Sequence, residues 1–127
     1  MRPRPHIEFV SVPSTGWDVP DGYPETITQH ILVDTLDHAN RTGERMLVMR
    51  FAPGARTGTT ALSHDECEDV FVYEGDLIVY DPHDQTESAA KTFHAPAFAT
   101  RPGGVAHGPF GSAQGCLMLV RFSYPQA

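Results

Sequence analysis

The sequence lacks several features that would place it in other classes of protein. Its two cysteines are too few for a disulfide framework, which predicts a reduced, cytoplasmic protein. The sequence has nine basic and sixteen acidic residues and no basic stripe that could neutralise phosphates. This composition argues against a nucleic-acid partner. No apolar run approaches the roughly 18 residues of a membrane-spanning helix, so no membrane partner is expected. The two arginines near the start precede no apolar run, and we therefore expect no secretory signal.

Helical periodicity is also missing, and this absence indicates the fold class. No segment sustains a 3.6-residue apolar period, and there is no internal repeat, low-complexity tract or linker. Short β-rich runs instead alternate with turn residues, among eleven glycines and eleven prolines. This pattern predicts an all-β sandwich or barrel. We expect one domain over residues 1–127, which can bury roughly two-thirds of its unfolded surface.

The local patterns place the elements along the chain. Residues 1–25 hold five prolines and predict an irregular arm with one short strand at residues 7–10. Glu74, Gly75 and Asp76 separate two apolar runs, which predicts a hairpin turn, and residues 81–91 predict a polar loop. Further strands are predicted at residues 27–33, 46–51, 70–73, 77–80, 98–100 and 116–122.

Two short motifs carry the residues suited to chemistry. In the first, His64, Glu68 and Gly75 follow a proline-glycine turn at residues 53–54. In the second, His107 follows the Pro-Gly-Gly turn of residues 102–104. Two imidazoles and one carboxylate are what a mononuclear transition-metal site needs. The sequence therefore predicts that His64, Glu68 and His107 bind one metal ion.

These motifs resemble the two motifs of the cupin superfamily. The first cupin motif is a Pro-Gly turn, His-x-His, three or four residues, Glu, six residues and Gly; the second is Pro-x-Gly, two residues and His. Residues 43–122 look most like small cupins related to the cupin domain of ChrR-type anti-sigma factors, with residues 50–56 and 115–118 adding to the likeness. The resemblance implies a cupin-type β-barrel, also called a double-stranded β-helix or jelly roll, with its core at residues 43–122.

One position departs from the cupin pattern. The first histidine of the family's pair falls on Leu62, so the resemblance implies a set reduced to His64, Glu68 and His107. A site without metal is one alternative. The other is a 2-His-1-carboxylate face with positions open for substrate and oxygen, as non-haem Fe(II) oxygenases require. Three protein ligands also suit catalytic zinc. Fe(II) is the preferred metal here, with Zn, Mn or Ni as alternatives.

A small β-barrel encloses a cavity lined by inward side chains. Glu66 is an alternative replacement for the missing ligand, and His94 is an alternative cavity residue. The residues expected to line the cavity are Leu62, Met49, Phe51, Tyr73 and Phe98.

Three functions agree with these expectations. The first is a metal-dependent enzyme, a dioxygenase acting on a small chelating substrate such as a β-diketone or an enol. The second is a non-catalytic cupin that binds a metal or a metabolite as a sensor, and the third is a metal-free isomerase or lyase. Beyond the ligands, the sequence identifies no catalytic residue. We also expect a homodimer, because family cupins often pair through edge strands and an unpaired edge needs covering.

Overall fold

The structure is a computed structural model that describes residues 3–84 and 86–125. These residues contain seven strands, one short 3-10 helix at Glu87–Ala89 and no α-helix. None of the described segments is helical over a length and apolarity that would cross a bilayer. The strands are β1 (Ile27–Asp34), β2 (Glu44–Phe51), β3 (Cys67–Val79), β4 (Lys91–His94), β5 (Ala97–Arg101), β6 (Phe110–Gly111) and β7 (Cys116–Ser123).

The strands form one curled antiparallel sheet with β3 at its centre. The main order is β1-β2-β7-β3-β4, and both β5 and β6 also pair with β3. The first half of β3 pairs with β5 on one side and with β7 on the other, whereas its end pairs with β4 and β6. Because one long strand contacts four others, the sheet closes around an interior. This architecture confirms the predicted all-β, barrel-type fold.

The core comes from alternate residues of the central strands. Successive side chains of a strand point to opposite faces, so every second residue faces the interior. The inward set is buried and apolar and contains Leu47, Met49, Phe51, Val70, Val72, Met118 and Val120. The residues between them face outward. The inward face of these three strands is the wall on which the site is built.

The hairpin predicted around Gly75 is wrong. Residues 67–79 form a single 13-residue strand, and a bulge interrupts its register with β7 between Val72 and Glu74. Gly75 has a φ of 84°, and a Cβ at this position would overlap the carbonyl oxygen of Gly115. The bulge changes which residues face inward, so that Val72 points inward before it and Leu77 after it.

The other strand predictions have mixed outcomes. Strands at residues 27–33, 46–51, 98–100 and 116–122 are confirmed within β1, β2, β5 and β7. The short strand at residues 7–10 is wrong, because the described arm is irregular there. The segment predicted as a polar loop, residues 81–91, also contains the 3-10 helix and the first residue of β4. The strands β4 and β6 were not predicted. Residues 1, 2, 85, 126 and 127 of the predicted domain lie outside the described residues.

A buried carboxylate ties β3 to the turn after β6. Asp76 is 2% exposed, and the hydroxyl of Ser112 donates to its Oδ1 over 2.6 Å. The backbone N–H groups of Gln114 and Ala113 donate to the same carboxylate over 2.9 and 3.3 Å. Burial alone would raise the pKa of Asp76, but these hydrogen bonds outweigh it, and the pKa lies below its ordinary value.

We expect Asp76→Asn to lower the free energy of unfolding by about 1–3 kcal/mol at pH 7, because an amide cannot accept all three hydrogen bonds. In the wild type, the contribution of Asp76 is complete above the unfolded-state pKa of 3.8 and is lost as the pH falls through the lower folded-state pKa. Urea unfolding at several pH values measures both effects, with the exposed Asp21→Asn as the control. A variant within about 0.5 kcal/mol of the wild type would contradict this role.

Candidate metal centre

The two sequence motifs meet at one place in the fold. His64 lies in the loop before β3, Glu68 is the second residue of β3, and His107 lies in the loop before β6. Leu62 and His107 exchange two backbone hydrogen bonds of 2.7 and 2.8 Å, which holds the two loops side by side. Residues 43 positions apart in the sequence thereby face one point.

A glycine makes this meeting of loops possible. Gly103 packs so closely on the loop after His64 that a Cβ would overlap the carbonyl oxygen of Asp65. Next to it, the N–H of Gly104 donates to the carbonyl oxygen of His64 over 2.8 Å. The Pro-Gly-Gly turn of the second motif therefore supports the histidine of the first, which gives these turn residues a structural role beside the metal ligands.

The distances among the three predicted ligand atoms are those expected around a single metal ion. Nε2 of His64 lies 3.2 Å from Nε2 of His107 and 3.2 Å from Oε2 of Glu68. All three candidate ligand atoms lie within 4.8 Å of one another. Bonds of about 2.0–2.2 Å to one metal place neighbouring ligand atoms about 3.0–3.5 Å apart. The donor set therefore fits one divalent cation.

The protonation states also suit metal binding. Nδ1 of His64 donates to the backbone oxygen of Glu66 over 3.1 Å, so the lone pair of a neutral ring lies on Nε2, which faces the site. Burial, the positive charge of Arg101 and the neighbouring His64 lower the pKa of His107 to about 4. Its ring is therefore neutral at pH 7, as coordination requires. Nδ1 of His107 is buried without a hydrogen-bond partner among the described residues.

Glu66 does not replace the missing ligand in this arrangement. Its carboxylate lies 3.6 Å from Nδ1 of His64, the ring nitrogen that does not face the site. The same carboxylate accepts a 3.3 Å hydrogen bond from the hydroxyl of Tyr124, which in turn lies 2.6 Å from Nδ1 of His38. The alternative in which Glu66 is the fourth ligand is therefore wrong, and Glu66 instead supports His64 from outside.

Sequence reasoning missed one residue of the candidate site, Arg101. It ends β5 directly opposite Glu68 on β3, and its Nη1 donates to Oε1 of Glu68 over 2.7 Å. Both side chains are largely buried, with 19% of Arg101 and 9% of Glu68 exposed. Arg101 directly precedes the second motif, and this position in the sequence could have marked it as a candidate site residue. Only the cross-strand register shows that it meets the metal ligand.

The site faces a cavity of about 530 Å³ inside the barrel. Four of the five predicted lining residues border it, namely Leu62, Met49, Phe51 and Phe98. Phe98 does so from the outward face of β5, where it is 66% exposed opposite Phe71. His94, the alternative cavity residue, also lines it. Tyr73 does not border the cavity, and its prediction was wrong, because it follows the inward Val72 at the bulge of β3 and is 44% exposed.

Polar groups of the lining are few, and Tyr23 is one of them. Burial and the negative charge of Glu68 raise the pKa of Tyr23 above its ordinary value. Tyr23 thus keeps its hydroxyl proton at pH 7 and can serve as a hydrogen-bond donor inside the cavity.

Comparison with known proteins identifies the fold. No protein-family model and no curated protein matches the sequence. Among solved structures, an acetylacetone dioxygenase from Acinetobacter johnsonii aligns with a TM-score of 0.67 at 15% identity, over 96% of this chain and 77% of that one. An RmlC-like cupin from Shewanella frigidimarina aligns with a TM-score of 0.65 at 19% identity, over 95% and 94%. The chain has the cupin fold.

A third cupin domain extends this comparison. It belongs to an XRE-family transcriptional regulator from Enterobacter cloacae and aligns with a TM-score of 0.55 at 17% identity, over 80% of this chain and 100% of that one. At such identities, likeness to these structures shows the fold alone, because one barrel hosts many functions. None of these matches tests the resemblance to ChrR-type cupins, which stays a prediction.

Proposed function

We propose that this cupin is a metal-dependent dioxygenase that acts on a small chelating organic substrate. The observation that carries the proposal is a cluster of two imidazoles and one carboxylate, of which Glu68 and His107 line an apolar cavity. Such a set leaves coordination positions open, as the oxygenases with this ligand type require. The fold shared with an acetylacetone dioxygenase is consistent with it. Fe(II) is the metal we propose, and Zn, Mn and Ni are tolerated by the same ligands.

When bound, Fe(II) would supply a Lewis acid and a redox centre for reaction with dioxygen. His64, Glu68 and His107 would hold it from one side. Glu68 acts as a ligand and not as a base, because its other oxygen is hydrogen-bonded to Arg101. Leu62 lies where the cupin pattern has its first histidine and presents an apolar wall to the substrate. Both atoms of dioxygen enter the organic product, so the reaction needs no external reductant.

Oxygen uptake tests this proposal. We expect protein loaded with Fe(II) to consume oxygen with at least one compound from a panel of β-diketones, enols and catechols. Protein loaded with Zn, or freed of metal, should consume none, because neither supplies a redox centre. Elemental analysis of protein purified without added metal accompanies the assay. A compound that binds the Fe(II) form tightly without any uptake would contradict oxygenase activity towards it.

A sensor is the second candidate function. Its support is the cupin domain of a transcriptional regulator, which has the same fold. A sensor would bind its metal or metabolite without chemical change, so that mass spectrometry recovers the ligand intact after incubation with Fe(II) and oxygen. The metal-free isomerase or lyase is a third reading. A stoichiometric metal in the purified protein would exclude it.

We further propose that the cupin pairs with a second copy of itself through the outer face of the sheet. Phe71 and Phe98 are cross-strand partners on this face and are 44% and 66% exposed, with Tyr73 beside them. Asp69 and Arg121 border the same shallow groove and form an ion pair of 3.9 Å within the chain. A two-fold axis through the groove would bury the exposed aromatic rings of both copies.

The proposed dimer predicts that Phe71→Asp is monomeric, because a carboxylate would be buried without a partner. Light scattering coupled to size-exclusion chromatography measures the mass. The matched control is Ile31→Asp, because Ile31 is an exposed apolar residue on β1. This variant should remain dimeric. A wild type that is monomeric throughout the concentrations tested would refute the dimer.

A further inference from the structure

Arg101 occupies an unusual position for a cation. Its guanidinium lies at the cavity wall beside the three candidate ligands and 5.4 Å from the ring centre of Phe110. A positive charge beside a metal site opposes metal binding, so the residue needs a reason to be there. Its ion pair with Glu68 balances one positive charge with one negative charge.

The balance changes when a divalent ion is bound. Among the described residues that line the cavity, Glu68 and Arg101 are the two charged ones when the histidines are neutral. A divalent cation would add two positive charges and leave a net charge of about +2 in a mostly apolar enclosure. Uncompensated charge in such surroundings is costly, and an anionic ligand is the direct way to reduce it.

Arg101 has donors available for such an anion. Within residues 3–84 and 86–125, the hydrogen bond that its side chain donates goes to Oε1 of Glu68 through Nη1. A guanidinium carries five N–H donors in a planar fork that matches a carboxylate or an enolate oxygen pair. The remaining donors can therefore meet an anion next to the ligand set without breaking the pair with Glu68.

The rest of the cavity determines the body of this ligand. Its walls are largely hydrocarbon and aromatic, including Met49, Phe51, Val72, Phe110 and Met118. These walls offer few hydrogen bonds, whereas they stabilise buried apolar surface in proportion to its area. The two charged residues of the lining, Glu68 and Arg101, lie together with His107 at the candidate metal site. The cavity is therefore matched to a molecule with one anionic head and one hydrocarbon body.

We propose that Arg101 is a specificity-determining residue that selects an amphipathic organic anion, a carboxylate or enolate on a hydrocarbon body, by binding its head beside the metal. This inference rests on the proposed metal site and names its substrate class, but it does not depend on oxygen chemistry. A merely structural role, in which Arg101 only keeps Glu68 in place, predicts a different result. Loss of Arg101 would then impair metal binding or weaken all ligands equally.

Calorimetric titration of the Zn-loaded protein separates these roles, because zinc holds the site without redox turnover. The probes are octanoate, the neutral 1-octanol with a similar body, and acetate with the same head. We expect octanoate to bind at least about tenfold more tightly than either of the others, which is the discrimination that one charged pairing supplies. Equal affinity for octanoate and 1-octanol, or no detectable binding of octanoate, would overturn the proposal.

Variants of Arg101 complete the test. In Arg101→Gln, octanoate should lose at least about tenfold in affinity while 1-octanol is unchanged, and Arg101→Lys should recover part of the loss. Arg45→Gln is the matched control, since Arg45 also forms an ion pair between strands, with Asp34, but outside the cavity. Undiminished octanoate binding in Arg101→Gln, or an equal loss for octanoate and 1-octanol, would overturn the proposal.

The same samples show which proposal fails. Zinc content measured on each variant reports the metal site independently of ligand binding. If zinc is bound but octanoate affinity is the same in the wild type and in Arg101→Gln, then the specificity role is wrong and the metal site is supported. If no zinc is bound, the metal site itself is wrong. Oxygen uptake is measured separately with Fe(II) and bears only on the oxygenase activity.

Discussion

Replacing His107 with alanine should lower the affinity for a divalent metal by at least about a hundredfold. Loss of a residue that hydrogen-bonds to a ligand already costs about 10–100-fold in metal affinity, and loss of the ligand itself should cost more. His107 supplies one of three ligand atoms, and its Nε2 lies 3.2 Å from that of His64. Alanine would remove one third of the protein coordination and open the position to water. Competition with a chelating dye measures the affinity, and uptake of oxygen with Fe(II) should disappear together with the metal.

The matched control for this variant is His94→Ala. His94 also lines the cavity, but it is exposed and does not belong to the group of ligand atoms. It should keep the metal affinity of the wild type. Circular dichroism confirms that both variants retain the β-structure. A His107→Ala protein that still carries one metal ion per chain would refute the ligand assignment.

Leu62→His should have the opposite effect on metal binding. The Leu62 backbone is paired with that of His107, and the side chain lines the cavity, so an imidazole here can approach the ligand atoms. A fourth ligand should raise metal affinity at least about tenfold, because residues that only hydrogen-bond to a ligand already change this affinity by about 10–100-fold. It would also occupy a position that the substrate needs, and turnover should fall by at least about tenfold.

The control for this change is Leu62→Met, which keeps an apolar side chain of similar volume. It should leave metal affinity unchanged and affect turnover only slightly. The two measurements are independent, because metal affinity is obtained by chelator competition and turnover at saturating metal. Unchanged metal affinity in Leu62→His would show that residue 62 does not reach the metal, and Leu62 would then not substitute for a ligand.

The candidate ligands could be predicted because their signal is local. His64, Glu68 and His107 lie in short motifs whose spacing and glycine-rich turns are visible in the sequence. The structure brings the three side chains together around one point. The strands β1, β2 and β7 could be predicted for a similar reason. Each is rich in apolar or β-branched residues and is bounded by turn residues, so nearby residues suffice to recognise it.

The centre of the fold could not be predicted in this way. Glu74, Gly75 and Asp76 have the composition of a tight turn, yet they continue β3 through a bulge. Glycine at positive φ serves a hairpin turn and a bulge equally well. The contact that decides between them is the close approach of Gly115, a residue 40 positions later. No local pattern contains that information.

The sequence by itself determined the all-β class and the three candidate ligands, because both depend on residue type and short spacing. Only the tertiary structure decided which side chains share the cavity. Alternation with Val72 points Tyr73 outward, the bulge in β3 brings Leu77 inward, and the register of β3 with β5 sets Arg101 against Glu68. A strand's pairing partner and its inward face follow from contacts between distant segments, and these contacts exist only once the barrel has closed.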